Sequence, residues 1–267
     1  RLARRLWPDR PAVAGLAPFI TLGAALWATY QQLVLFDTLL TTCVLLGVTG
    51  AVEAWRAPRP GAWVLVSLGL GLGLLAKGPV ALLHLLPLLL LAPWWMTDGR
   101  RLHWRGWYAG VGVAFLGGAA MALAWAIPAA RSGGPDYAKM IFLRQTAERM
   151  VSSFAHRRGA WWYLPLLPLL LFPWALWPPL WRAYGRLRSA LPDAGVRFCL
   201  AWAVPVFVAF SLISGKQVHY LFPLIPAFAL LSARLLDEGA MDGRFAFLPA
   251  LAVAAGGIAL LALPHVP

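Results

Sequence analysis

Four short segments of this 267-residue sequence carry side chains able to do chemistry, and each reads as a place where the chain turns at a membrane surface. In the first, Asp37 sits where a helix re-enters the bilayer; an N-cap role alone would account for its carboxylate. In the second, Lys77 is the single charge between Gly61 and Met96, and Gly78 and Pro79 break the helix beside it. Pro79 suits the first turn of the next helix, whose free N–H groups then point outward next to an ammonium. That pairing makes an anion site, above all for phosphate, although a plain turn with a snorkelling lysine has the same sequence. The third segment, 129–158, holds Glu148, Arg149, His156, Arg157 and Arg158. The fourth, Ser214 to Tyr220, brings Lys216, His219 and Tyr220 to the start of another inward-going helix. His84 lies inside an apolar run and reads as a hydrogen-bonded core histidine rather than a ligand.

The elements that must position these residues are membrane helices. Hydrophobic residues make up 61% of the chain, charged residues 12%, and the mean hydropathy is +0.70. A soluble domain carries about 25% charged residues. Nine stretches lack Asp, Glu, Lys and Arg: roughly 11–30, 38–52, 61–76, 78–97, 106–130, 159–181, 198–215, 217–233 and 245–267. Most approach the ~20 residues that a spanning helix needs. Strict alternation of polar and apolar residues is absent, which argues against a membrane β-barrel. The expected fold class is therefore all-α and polytopic, with about nine transmembrane helices. Gly69, Gly71 and Gly73 should let helices approach closely. Between 136 and 154, Tyr137, Ile141, Leu143, Met150 and Phe154 recur at helical spacing, predicting one amphipathic helix along the outer surface. Cys43 and Cys199 both fall in apolar runs and read as small buried hydrophobes.

Nine alternating helices divide the loops into two sets, holding 15 and 8 basic residues. The richer set is expected on the cytoplasmic side. The formal charge of +13 is accounted for in this way and does not point to nucleic acid. All three lysines fall on the outer set, with only Asp37, Asp136 and Glu148 to balance eight cations. An anionic ligand would explain that excess, and so would anchoring to anionic lipid headgroups.

The ordered set of Asp37-Thr-Leu-Leu-Thr41, Ala76-Lys-Gly-Pro79, Glu148-Arg149 followed by Trp161-Trp-Tyr-Leu-Pro165 and Phe172-Pro-Trp174, and Ser214-Gly-Lys-Gln-Val-His-Tyr-Leu-Phe-Pro223 resembles a known family. It is the bacterial branch of the dolichyl-phosphate-mannose protein mannosyltransferases, which includes the aminoarabinose transferases of lipid A. The resemblance implies a GT-C glycosyltransferase fold over the whole chain, residues 1–267. It further implies a polyprenyl-phosphate sugar donor, an acceptor that is lipid A, a protein or a glycan, and an active site on the outer, periplasmic face of the bacterial inner membrane. Asp37 aligns with the family's second outer acidic position and is the expected catalytic carboxylate. Arg149, Lys216, His219, Tyr220 and Lys77 fall where relatives gather donor-phosphate contacts, with Glu148 and His156 as additional candidates. Some relatives bind a divalent metal, but the sequence shows no metal-ligand spacing of its own. The family's first outer acidic loop would lie upstream of Arg1, so the chain is expected to be a fragment, inactive alone and truncated at its C-terminus.

Two other functions fit the same cations. A transporter or flippase of an anionic lipid-linked substrate would also need ionisable residues deep in several helices and broken helices in matched halves. Only Lys77 and His84 answer to that. A polymerase or ligase of lipid-linked glycans would share the outer-loop arginine and histidine.

Overall fold

The computed structural model of the chain describes residues 1–33, 35–97, 104–141, 158–238 and 247–262. Among the described residues the chain is helical throughout, with no strand. It begins with the short α1 (Leu2–Leu6), then α2 (Pro11–Gly23) and α3 (Ala25–Tyr30). The long helices α4 (Phe36–Arg56) and α5 (Pro60–Lys77) follow, then α6 (Val80–Leu90), α7 (Ala92–Trp95) and α8 (Trp104–Lys139). The second half holds α9 (Leu167–Leu170), α10 (Pro178–Gly185), α11 (Leu187–Ala190), α12 (Ala194–Leu212), a 3₁₀ stretch Val218–Leu224 running into α13 (Ile225–Asp237), and α14 (Phe247–Ala262).

The protein is a polytopic helical membrane protein. Among the described residues, five helical segments are long and apolar enough to cross a bilayer: α4, α5, α8, α12 and the continuous Val218–Asp237. Burial sorts them into layers. The Val218–Asp237 window is 72% buried and that of α4 is 61%, against 28% for α8. The first two therefore form the interior. α8 lies at the periphery and turns Val113, Leu116 and Trp125 outward, as a lipid-facing helix does.

Glycines set the distances between the long helices. A Cβ on Gly69 would lie 2.6 Å from the Gly47 amide nitrogen and 2.7 Å from the Cys43 carbonyl, so α4 and α5 touch backbone to backbone. Gly118 of α8 meets Gly71 of α5 in the same way, at 3.0 Å from its amide nitrogen. These are the small-residue contacts expected of Gly69 and Gly71, and Gly73 meets Ala81 likewise.

The charge-free stretch 159–181 differs from the single span its length suggests. It is a series of short pieces: a 3₁₀ turn Ala160–Tyr163, α9, and a second 3₁₀ turn Trp174–Leu176 leading into α10. Pro165, Pro168, Pro173, Pro178 and Pro179 each lack the N–H that a continuous helix requires. Of the range expected to form the surface helix, 136–154, only residues 136–141 are described. Gly134, at φ +80° and followed by Pro135, kinks α8 and redirects residues 135–139. The remainder of that helix, with Leu143, Met150 and Phe154, lies outside the described residues.

Ion pairs divide between the two ends of the bundle. At one end Arg5 binds Glu53 (2.8 Å), Arg10 binds Asp237 (3.0 Å), and Arg234 binds Asp193 (2.8 Å) and Glu238 (2.9 Å). At the other, Lys77 binds Asp37 and His219 stands beside them. Every pair joins residues of the same loop set derived from alternation.

Candidate active site

Three segments bring side chains together at the second end. Asp37 occupies the first turn of α4 and is 3% exposed. It does not cap that helix, contrary to the simplest expectation. Leu35 is the N-cap residue, without a side-chain cap bond, and the Asp37 carboxylate turns sideways to accept from the Lys77 ammonium. Thr41, one turn on, donates its hydroxyl to the Asp37 backbone carbonyl at 2.7 Å and steadies the turn.

Lys77 is the last residue of α5. Gly78 follows at φ +66°, a left-handed conformation that glycine adopts without penalty, and the chain reverses through Pro79 into α6. Both charges complement the dipoles of their helices, the carboxylate at an N-terminus and the ammonium at a C-terminus.

The third segment is the 3₁₀ stretch after Gln217. His219 Nε2 lies 3.8 Å from Asp37 Oδ2, and the Lys77 ammonium sits 4.8 Å over the centre of the Tyr220 ring. The Tyr30 ring, at the end of α3, meets the His219 ring at 5.9 Å, and Phe210 backs Tyr220 at 5.6 Å. Thus Asp37, Lys77, His219 and Tyr220 form one half-buried cluster. Asp37 and Lys77 are direct partners.

Lys216 points elsewhere. It is 3% exposed, and its ammonium donates to the backbone carbonyls of Ile213 and, at 3.0 Å, Arg158. Burial pulls its pKa below the ordinary lysine value. Arg158 returns a bond from its amide to the Ser214 carbonyl (3.1 Å), and the Tyr163 hydroxyl donates to the Gln217 carbonyl (2.9 Å). Lys216 therefore ties the 213–217 loop to the point where the chain emerges from 142–157. Glu148, Arg149 and His156 belong to that segment and lie outside the described residues.

His84 departs from expectation. It is fully buried, but neither ring nitrogen bonds a protein group among the described residues; the ring packs 5.5 Å from Phe210. Tyr30 and Tyr163 are contributors that sequence reasoning passed over, since each ends or follows an apolar run without any charged neighbour. As for a divalent metal, Asp37 and His219 are the only acid and histidine at the cluster among the described residues, and an ammonium already occupies the carboxylate. Among the described residues no group of three metal-ligating side chains occurs. This donor set does not suit a divalent cation, and no step is routed through one.

Comparison with known proteins places this geometry. No protein-family model matches the chain. The structure of ArnT from Cupriavidus metallidurans bound to undecaprenyl phosphate superposes with a TM-score of 0.71, covering 99% of this chain and 48% of that one at 23% identity. The chain has the GT-C fold of that transferase. The apo structure of the same ArnT gives a TM-score of 0.70. In sequence, the undecaprenyl phosphate-alpha-4-amino-4-deoxy-L-arabinose arabinosyl transferase of Edwardsiella ictaluri is 30% identical over 277 residues, covering 100% of this chain and 48% of its own length. A transferase of the same name from Pseudomonas fluorescens is 33% identical over 277 residues, again covering 48% of itself. The chain is thus homologous to these aminoarabinose transferases along nearly its whole length, and it spans about half the length of the curated relatives it matches.

Proposed function

We propose that this chain is part of an integral membrane glycosyltransferase. It moves a sugar, 4-amino-4-deoxy-L-arabinose by analogy with the relatives' names, from a polyprenyl phosphate to an acceptor such as lipid A on the outer face of the bacterial inner membrane. The observation that carries this reading is the convergence of Asp37, Lys77, His219 and Tyr220 from three separate segments at one end of a GT-C fold.

In such a transfer the bond between the sugar's anomeric carbon and the phosphate oxygen breaks, and the acceptor oxygen takes its place. The polyprenyl phosphate departs with negative charge, which a cation in a half-buried site stabilises far better than water does. An ammonium has three donors. Lys77, held by Asp37, brings that positive charge to the phosphate. Asp37 orients the acceptor and takes its proton. Tyr220 shields the ammonium from solvent on its ring face. Arg149 supplies the fork-shaped donor that suits phosphate, from the loop whose base Lys216 fastens.

The test uses the full-length protein, with sugar transfer measured at equal membrane expression. Arg149→Ala and Lys77→Ala should each lower transfer by roughly 10- to 150-fold, the loss expected for one charge-assisted contact worth ~1.5–3 kcal/mol. Wild-type transfer in both variants would overturn the reading.

A further inference from the structure

The turn Ala160–Tyr163 carries three aromatic residues in a row, and each has a different surrounding. Tyr163 is fully buried and donates its hydroxyl to the Gln217 carbonyl at 2.9 Å. Gln217 is the N-cap residue of the 3₁₀ stretch that presents His219 and Tyr220, so this turn is docked directly on the third segment of the candidate active site. Trp162 is half-buried against the core, its ring meeting that of Tyr163 edge-on at 5.1 Å. Trp161 points the other way. It is 67% exposed, and its indole N–H has no partner among the described residues.

Arg158 stands beside this turn on a backbone fixed from both sides. Its amide donates to the Ser214 carbonyl at 3.1 Å, and its carbonyl accepts from the buried Lys216 ammonium at 3.0 Å. Its guanidinium lies 5.6 Å over the Trp162 ring, and no carboxylate pairs with it among the described residues. Of the outer acids, Asp37 is held by Lys77, Asp136 sits at the end of α8, which packs on α5, and Glu148 lies outside the described residues. Gly159 seats the Trp161 indole against bare backbone, since a Cβ there would stand 2.9 Å from the indole Nε1. A tryptophan or arginine that only anchors at the headgroup level needs no such seating. A buried ammonium is costly to desolvate, and this one fixes the position of a single exposed arginine.

An exposed indole offers a flat apolar face to the C–H side of a sugar ring and an N–H to one of its hydroxyls. A guanidinium offers a fork to phosphate. We propose that Trp161 and Arg158 seat the headgroup of an anionic glycolipid, with a sugar ring stacked on Trp161 and a phosphate against Arg158. That this glycolipid is the acceptor rests on the proposed transfer reaction; that it binds here does not. An anionic phospholipid is the rival occupant. It brings the same phosphate but no sugar ring, so it uses Arg158 and leaves the indole face without a ligand of matching shape.

The experiment measures Kd by native mass spectrometry on the full-length protein in detergent, with three probes: lipid A, lipid A stripped of its phosphates, and phosphatidylglycerol. Wild type should prefer lipid A to phosphatidylglycerol. Trp161→Leu should weaken lipid A binding about 10-fold and leave phosphatidylglycerol unchanged. Arg158→Gln should weaken lipid A binding about fivefold and leave the phosphate-free form unchanged. Gly159→Ala pushes the exposed indole aside without touching the core, so it should weaken lipid A binding in the wild type and add nothing to Trp161→Leu. In a sugar-transfer assay, KM for lipid A should rise in Trp161→Leu by the same factor as Kd, while KM for the polyprenyl donor stays. A wild type that binds lipid A with this pattern but transfers no sugar would refute the transfer reaction and support the seat. Equal losses of lipid A and phosphatidylglycerol in Trp161→Leu would mark a plain interfacial anchor and overturn the proposal. So would lipid A binding unchanged in Trp161→Leu, or no preference for lipid A in the wild type.

Discussion

The contact between Lys77 and Asp37 lends itself to a quantitative test. The two side chains are 16% and 5% exposed, so neither is well solvated and water cannot replace a lost partner. At an effective dielectric near 20 a contact pair gains about 4 kcal/mol, and removing one member of a buried pair costs about 3–5 kcal/mol because the other charge is stranded. Lys77→Met leaves Asp37 beside His219, 3.8 Å away. Asp37→Asn strands Lys77 over the Tyr220 ring, where a cation–π contact returns about 0.5–2 kcal/mol. Each single change should therefore destabilise strongly. The double variant, with no stranded charge, should fall well short of their sum, giving a coupling of about 2–3 kcal/mol. His219→Gln should hurt more on the Lys77→Met background than alone. The measurement is a double-mutant cycle by reversible SDS-induced unfolding of the full-length protein. Additivity within ~0.5 kcal/mol would show that the two groups do not share a buried contact.

Three further outcomes are expected. Gly69→Val should destabilise by about 1–3 kcal/mol in thermal unfolding, since a Cβ there meets the α4 backbone, whereas Gly112→Ala, with open space around it, should be silent. A cysteine placed at the exposed position 133 should react with an impermeant maleimide in intact cells, and one at 187 should not; native Cys43 and Cys199 are buried and give little background. Arg234→Met should lower stability by about 3–5 kcal/mol, because it removes the partner of a largely buried Asp193; a thermal midpoint equal to wild type would contradict that role.

Much of this fold was legible because membranes impose simple demands. Each charge-free stretch corresponds to helical segments, and alternation placed Asp37, Lys77, His219 and Tyr220 at one end, where they meet. The glycine contacts followed from composition alone. Direct pairing of Asp37 with Lys77 was not legible, since 40 residues separate them and nothing local says which way either side chain leans. The inward turn of Lys216 escaped for the same reason: its partners are backbone carbonyls, which leave no mark in the sequence. The breaks in 159–181 were legible after all, in five prolines, but the absence of charge outweighed them.

The hub at Asp193 has a consequence for how the protein is made. Its carboxylate caps α12 through the amides of Gly195 and Val196, receives the indole N–H of Trp7, and binds Arg234. Arg10 likewise waits for Asp237, a partner 227 residues further along the chain. At a synthesis rate of ~5–20 residues per second, Trp7 and Arg10 spend roughly 10–45 s without the contacts that seat them. During that interval Arg10 and the Trp7 indole are open to other bonds, to lipid headgroups or to the insertion machinery. Helices α1 and α2 are thus made well before the partners that lock them in place.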